Sequence, residues 1–205
     1  LTISGQPKLG LRERKKIKTR QTIQQHALRL FRKQGYNETT IEQIAEAAEI
    51  SPSTFFRYFP TKEALVLDDD YDPLLIQQFA SQPSDISPLH ALRNAVRTGL
   101  SLVPEEGRNA FRERMILSMN VPEIRAASLI QLMDTMRMVA KMIADRTGRT
   151  PDDFYVLTLA GSFVGSVMST QLYAANHPDE DYADLIDKAI AQLEVGLAIP
   201  NKAES

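Results

Sequence analysis

The residues of this chain with the most to offer chemically are crowded into SPSTFFRYFPTKEAL, residues 51–65. Four aromatic rings, Phe55, Phe56, Tyr58 and Phe59, surround Arg57, and Lys62 follows just beyond. Read as a short helix opening at Ser51-Pro52, this stretch puts Phe55 and Phe59 four positions apart, on one side, where they can plug a small core with Phe31 and Ile44. Ser53, Phe56 and Arg57 then fall at i, i+3, i+4 on a different face, flanked by Pro52 and Tyr58. A single buried face accounts for two of the rings and leaves the others unexplained. A helix that enters a DNA groove accounts for the remainder. A guanidinium reaches a guanine edge or a phosphate, a ring contacts thymine methyls or sugars, and Ser and Thr hydroxyls bond phosphate oxygens.

Other chemistries find less support. His26, His90 and His177 are far apart and have no Cys or His-x-x-x-His companion, so no zinc site is expected. The carboxylate run DDDYDP, residues 68–73, lacks the glycine and the terminal glutamate of a calcium loop and reads as a solvated bend. There is no glycine-rich phosphate loop, nucleophile elbow or paired-carboxylate signature, so neither an enzyme nor a resident cofactor is expected. The chain contains no cysteine, which excludes disulfides and thiolate metal sites and suits the cytoplasm. No apolar run approaches the length of a membrane span, and the first twenty residues lack the apolar centre of a secretory signal.

The elements that must position the aromatic cluster are helical. Residues 12–35 carry Ile17, Ile23, Ala27, Leu30 and Phe31 on one stripe, with Gly35 as a stop. Residues 41–48 repeat Ile41, Ile44, Ala45 and Ala48 at helical spacing behind Thr39 or Thr40 as N-cap. The four residues AEIS then separate this helix from the one that opens at Ser51-Pro52, which makes a helix-turn-helix. Residues 61–81 form a helix broken or kinked at Asp72-Pro73. Five more follow over residues 89–103, 106–119, 123–146, 152–175 and 182–197, punctuated by Pro104, Pro122, Gly148 with Pro151, and NHPDED. In the long one, Ile124, Leu129, Leu132, Met136, Val139 and Ile143 point inward. No segment alternates as a strand would. The expected fold class is therefore all-α with about nine helices: an N-terminal three-helix head with a basic arm over residues 1–65, and a helical body over 66–205.

Charge divides at the same place. Residues 1–62 hold 12 Lys and Arg against 5 Asp and Glu, whereas the rest hold 12 against 21, and the net charge of −2 conceals this. A basic head suits a polyanion. Lys8, Arg12, Arg14, Lys15, Lys16, Lys18 and Arg20 face a single acid, Glu13, and would release counterions from phosphates if they lay along a duplex.

On the segments ALRLFRKQGYNETT, IAEAAEIS and TFFRYFPTKEAL, the chain resembles the tetracycline-repressor (TetR) family of bacterial transcriptional regulators, from about Arg14 to Leu65. The resemblance implies a homodimer whose two heads bind palindromic double-stranded DNA while a divergent helical body holds a small-molecule effector. By position it implies that Thr40 contacts phosphate. It also implies that Ser51, Pro52, Ser53, Thr54, Phe56, Arg57 and Tyr58 supply base and backbone contacts, and that Lys62 clamps phosphate. Glu49 stands where the family's turn usually carries glycine.

In the body, six of the seven methionines fall on two successive helices. Met115, Met119, Met133 and Met136, with Phe111 and Phe163, are candidates for lining a cavity for a lipophilic or acyl-type effector, since methionine fills irregular apolar space. Arg112, Arg114 or Arg137 can meet an anionic head group. The last two helices, with LAGSFVGSVMS apolar nearly all round and Gly161 and Gly165 four apart, are the expected dimer surface. The competing reading is a helical interaction or lipid-carrier protein whose basic N-terminus binds an acidic partner or a membrane surface.

Overall fold

The computed structural model describes residues 11–68 and 72–197, which fall into two compact units, the first ending at Val66 and the second beginning at Leu67. Expectations for Lys8, and for the side chains of Arg12 and Arg14, lie outside the described residues. Among the described residues there are ten helices and no strands. The tenth arises because residues 61–81 divide into α4 (Ala64–Leu67) and α5 (Asp72–Ala80), the second starting at the expected Asp72-Pro73 break.

The head is built on α1 (Leu11–Gln34), α2 (Ile41–Ala47) and α3 (Pro52–Tyr58). Ile23, Ala27, Leu28 and Phe31 of α1 are buried, along with Ile44 and Ala45 of α2 and with Phe55 and Phe59. Local chemistry sets each boundary. Thr40 caps α2 in a reciprocal box: its Oγ1 accepts from the Gln43 N–H at 3.2 Å, and the Gln43 side chain accepts from the Thr40 N–H at 3.0 Å. Thr39 is buried instead, its hydroxyl donating to the Gly35 carbonyl at 2.8 Å. Ser51 caps α3 by accepting from the Thr54 N–H at 3.1 Å, and Pro52 occupies the first turn, where no N–H is needed.

The turn between α2 and α3 is a Schellman closure. Ile50 N–H donates to the Ala45 carbonyl at 2.9 Å and Glu49 N–H to the Glu46 carbonyl at 3.0 Å. Glu49 sits at φ 56°, the left-handed region, with the side chain that the sequence supplies where glycine would be free of strain.

Two cations brace the head from inside. Arg20 Nη1 donates to the Tyr58 carbonyl at 3.2 Å, at the C-terminal end of α3, and its guanidinium carbon lies 4.5 Å from the centre of the Phe59 ring. Lys62 Nζ donates to the carbonyls of Tyr36 and Thr39 at 3.0 and 3.1 Å and lies 4.0 Å from the centre of the Tyr36 ring. The Tyr36 hydroxyl in turn donates to Glu63 at 3.0 Å. Burial pushes the Glu63 carboxyl up, but hydrogen bonds from its own backbone N–H, Thr61 and Tyr36, with the charge of Lys62, bring it below the usual carboxylate range.

The body comprises α5, α6 (Pro88–Ser101), α7 (Glu105–Asn120), α8 (Pro122–Thr147), α9 (Phe154–Asn176) and α10 (Tyr182–Val195). Its core joins Leu92 and Ala95 of α6, Val139 and Ile143 of α8, Val156, Ala160 and Phe163 of α9, and Ile186 and Ile190 of α10. Leu129, expected inward on α8, is 55% exposed. The inward stripe is continuous only from Leu132 onward, because Ile124 and Leu129 are five apart and fall on different sides of a 3.6-residue turn. Arg93 ties α6 to α10 with a two-pronged bond to Asp187 at 2.6 and 2.8 Å and a third to Glu194 at 2.9 Å. The same guanidinium draws the Asp187 carboxyl below its ordinary range. Among the described residues no helix is long and apolar enough to cross a membrane.

Two substitutions test this account of the head in urea titrations of the full chain. Glu49→Gly relieves the left-handed strain and is expected to raise the unfolding free energy of the head by about 0.5–1 kcal/mol. Lys62→Met keeps the apolar stem but leaves two carbonyls without their donor, and is expected to lower it by about 1–3 kcal/mol. Unchanged midpoints would contradict both assignments.

Candidate nucleic-acid interface

Seven residues make too short a helix to hold its shape alone, so α3 depends on what it is packed against. Phe55 and Phe59 are fully buried, with ring centroids 5.9 Å apart. Fixing that face inward turns the next one outward. Phe56 stands edge-on to Phe55, at 5.5 Å between centroids, and remains 52% exposed. Arg57 is exposed too, its guanidinium carbon 5.5 Å from the centre of the Tyr58 ring, which keeps the long side chain folded over its neighbour. Pro52 and Ser53 are exposed; Thr54 and Tyr58 are half-buried. A helix end with a cation, an outward ring and several hydroxyls within one turn of each other has the donors and the apolar contact needed to read base edges and hold phosphates.

The remaining expected contacts divide. Thr40 is exposed and its hydroxyl accepts from Gln43, which leaves its own O–H to donate outward. Ser51 is exposed, with its oxygen 3.0 Å from that of Thr54. Lys62 occupies a different place from a free phosphate clamp, because two of its three N–H bonds are engaged by Tyr36 and Thr39 carbonyls. Arg20, counted among the cations that face a duplex, points inward to Tyr58 and Phe59. Lys15, Lys16 and Lys18 are exposed. Sequence spacing gives no sign of the Arg20 and Lys62 acceptors, which are backbone carbonyls 23 to 38 residues away.

In the body, the six residues expected around a ligand are not gathered in one place. Phe163 and Met136 belong to the core, where the Met136 sulfur lies 3.7 Å from the Cβ position that Gly161 lacks. Met133 is 46% exposed. Phe111, Met115 and Met119 remain together as successive turns of α7, Met115 buried and Phe111 against Tyr182 with centroids 5.2 Å apart. Arg114, one of three arginines raised for an anionic group, is buried beside Met115, whereas Arg137 is exposed and bonds to Asp134 at 3.0 Å. Among the described residues no three His, Cys, Asp or Glu side chains stand close enough to hold a metal ion.

Residues 23–68 match the family model described as bacterial regulatory proteins, tetR family, and residues 86–198 match the MftR C-terminal domain. The regulator TcmR of Streptomyces glaucescens is 34% identical over 174 residues, covering 80% of this chain and 77% of that one. MftR of Mycobacterium tuberculosis, a regulator named for mycofactocin biosynthesis, is 29% identical over 159 residues, covering 76% and 79%. Among solved structures, the TetR-family repressor FadR of Thermus thermophilus, in complex with lauroyl-CoA, superposes with a TM-score of 0.56 at 25% identity over 91% of this chain and 98% of that one. A regulator from Syntrophomonas wolfei gives 0.62 at 19% identity over 90% and 98%, which bears on the fold alone. With the helix-turn-helix inside one family match and the body matched over more than half the chain, this protein belongs to the TetR family of bacterial transcriptional regulators.

Proposed function

We propose that the chain acts as a cytoplasmic, homodimeric repressor that binds a palindromic operator through α3 and releases it when a small acyl-type effector enters the body. The observation that carries this reading is the outward face of α3: Phe56 and Arg57 exposed above a fully buried Phe55 and Phe59. Arg57 is the base-reading cation and Phe56 the apolar contact. Pro52, Ser53, Thr54 and Tyr58 line the groove, while Thr40 and Ser51 face phosphates. Lys62 holds the head in shape and has one N–H left for a phosphate.

The dimer is supported by α9. Its 23 residues contain no charged side chain, yet Phe154, Leu157, Met168 and Leu172 are exposed on it. Gly165, mid-helix, would find nothing within 4 Å of an added Cβ, so nothing within this chain requires glycine there. An exposed helical glycine costs about 1 kcal/mol against alanine, a cost that close approach of a second copy would offset. Two heads related by a two-fold axis match half-sites about 34–36 Å apart, and an effector that changed their spacing by a few ångströms would uncouple one of them. The acyl-type effector is supported by the likeness to FadR and by the apolar run Phe111, Met115, Met119 on α7.

Two experiments test the reading. In gel shifts with duplexes selected from a random pool, Arg57→Ala is expected to lose about 1–3 kcal/mol of discrimination at one base pair of each half-site while keeping the wild-type salt dependence. Equal retention of selected and random duplexes by the wild type would favour the interaction or lipid-carrier reading. By light scattering, Leu172→Asp is expected to halve the molar mass of the wild type and weaken operator binding; an unchanged mass would remove α9 from the interface.

A further inference from the structure

Arg114 is the one charged residue that the described structure buries, with only 9% of its surface exposed. Its Nη1 donates to the backbone carbonyl of Asp68 at 3.0 Å, and its Nε is buried without an acceptor. Among the described residues no carboxylate forms an ion pair with it. Arg93, by contrast, is met by two carboxylates. Removing a guanidinium from water costs several kcal/mol, and one neutral carbonyl repays little of that. Among the described residues, neither the adjacent Glu113 nor Asp68 nor Asp72 forms an ion pair with it. Asp68 offers its backbone oxygen, and Asp72 is pushed up, first by its own burial and then by the charge of Asp68.

Part of the α7 face that Arg114 shares is apolar. Phe111, Arg114 and Met115 fall at i, i+3, i+4 and so share a face, with Met119 a turn further on. Gln131 of α8 donates to the Leu67 carbonyl at 3.0 Å, next in the chain to the carbonyl that Arg114 holds, which brings an uncharged amide donor to the same spot. A buried, forked donor with a spare N–H, beside a strip of ring and thioether, suits a molecule with an anionic head and an apolar tail.

We propose that Arg114 is the anion receptor of the effector site: it takes a carboxylate or phosphate head group, while Phe111, Met115 and Met119 take the tail. This rests on the effector reading above and adds to it the sign and place of the ligand's charge. The head group supplies the missing countercharge, and by drawing on the guanidinium it competes with the Asp68 carbonyl, one residue beyond α4.

Calorimetric titration of the full chain with a matched twelve-carbon set, each below its micelle concentration, tests the proposal. Laurate and dodecyl phosphate are expected to bind at least tenfold more tightly than 1-dodecanol, with inorganic phosphate alone showing whether the head group suffices. Arg114→Gln should bring all three twelve-carbon probes to the affinity of dodecanol, and Arg114→Lys should restore part of the preference. Equal wild-type affinities for charged and neutral probes, or a preference that survives in Arg114→Gln, would overturn it. A second measurement is independent of the tail. If the buried charge is held for a ligand, Arg114→Met should melt at or above the wild-type temperature without ligand; a clear fall would make Arg114 a structural tether and overturn the proposal. Failure of every twelve-carbon probe, with the melting result as expected, would reject the acyl reading and leave the anion site standing.

Discussion

The burial of Phe55 and Phe59 is the constraint on which the functional end of this molecule depends. A seven-residue helix has almost no stability of its own, and its orientation comes from whatever it buries. Two rings four residues apart, both fully enclosed, fix its rotation about its own axis. Burying each ring is worth about 2–3 kcal/mol, enough to outweigh any competing preference of a short exposed helix. Phe56 and Arg57 then face outward as a geometric consequence. The Arg20 bond at Tyr58 and the stacking of Arg20 on Phe59 stop the C-terminal end of α3 from fraying, and Lys62 secures the segment after α1 against the start of α4.

Family membership and local geometry bear on different questions. The matched models and relatives establish a TetR-family regulator with a helix-turn-helix head. They leave open what this chain's own residues recognise. The head offers a face left outward by its core, and the body offers a charge-free helix with exposed apolar side chains and a buried arginine that no carboxylate among the described residues pairs with. Repression, dimerisation and effector charge are proposals built on those features.

Much of this was legible in the sequence because the signals were local. Thr40 with Gln43, Ser51 with Pro52, and the 55/59 spacing each depend on residues within one turn, and the structure places them as that chemistry requires. Glu49 marked a turn in need of left-handed backbone, and its φ of 56° shows that a carboxylate side chain is tolerated there. The roles of Arg20 and Lys62 were not legible. Sequence spacing aims both at phosphate, yet each donates to a backbone carbonyl, which every residue carries and which leaves no trace in composition. Leu129 misled because an apolar residue one position off the stripe reads much like one on it. The methionines showed the limit of counting: Met136 joins the core, Met133 is largely open, and only α7 keeps its candidates together.

The most direct test places a photo-crosslinking benzoylphenylalanine at position 56 of the full chain, bound to a duplex selected from a random pool. The account predicts adducts to DNA bases from position 56 and none from the same group at the exposed position 33 of α1. Adducts from position 56 to protein alone, under conditions where the duplex remains bound, would contradict it.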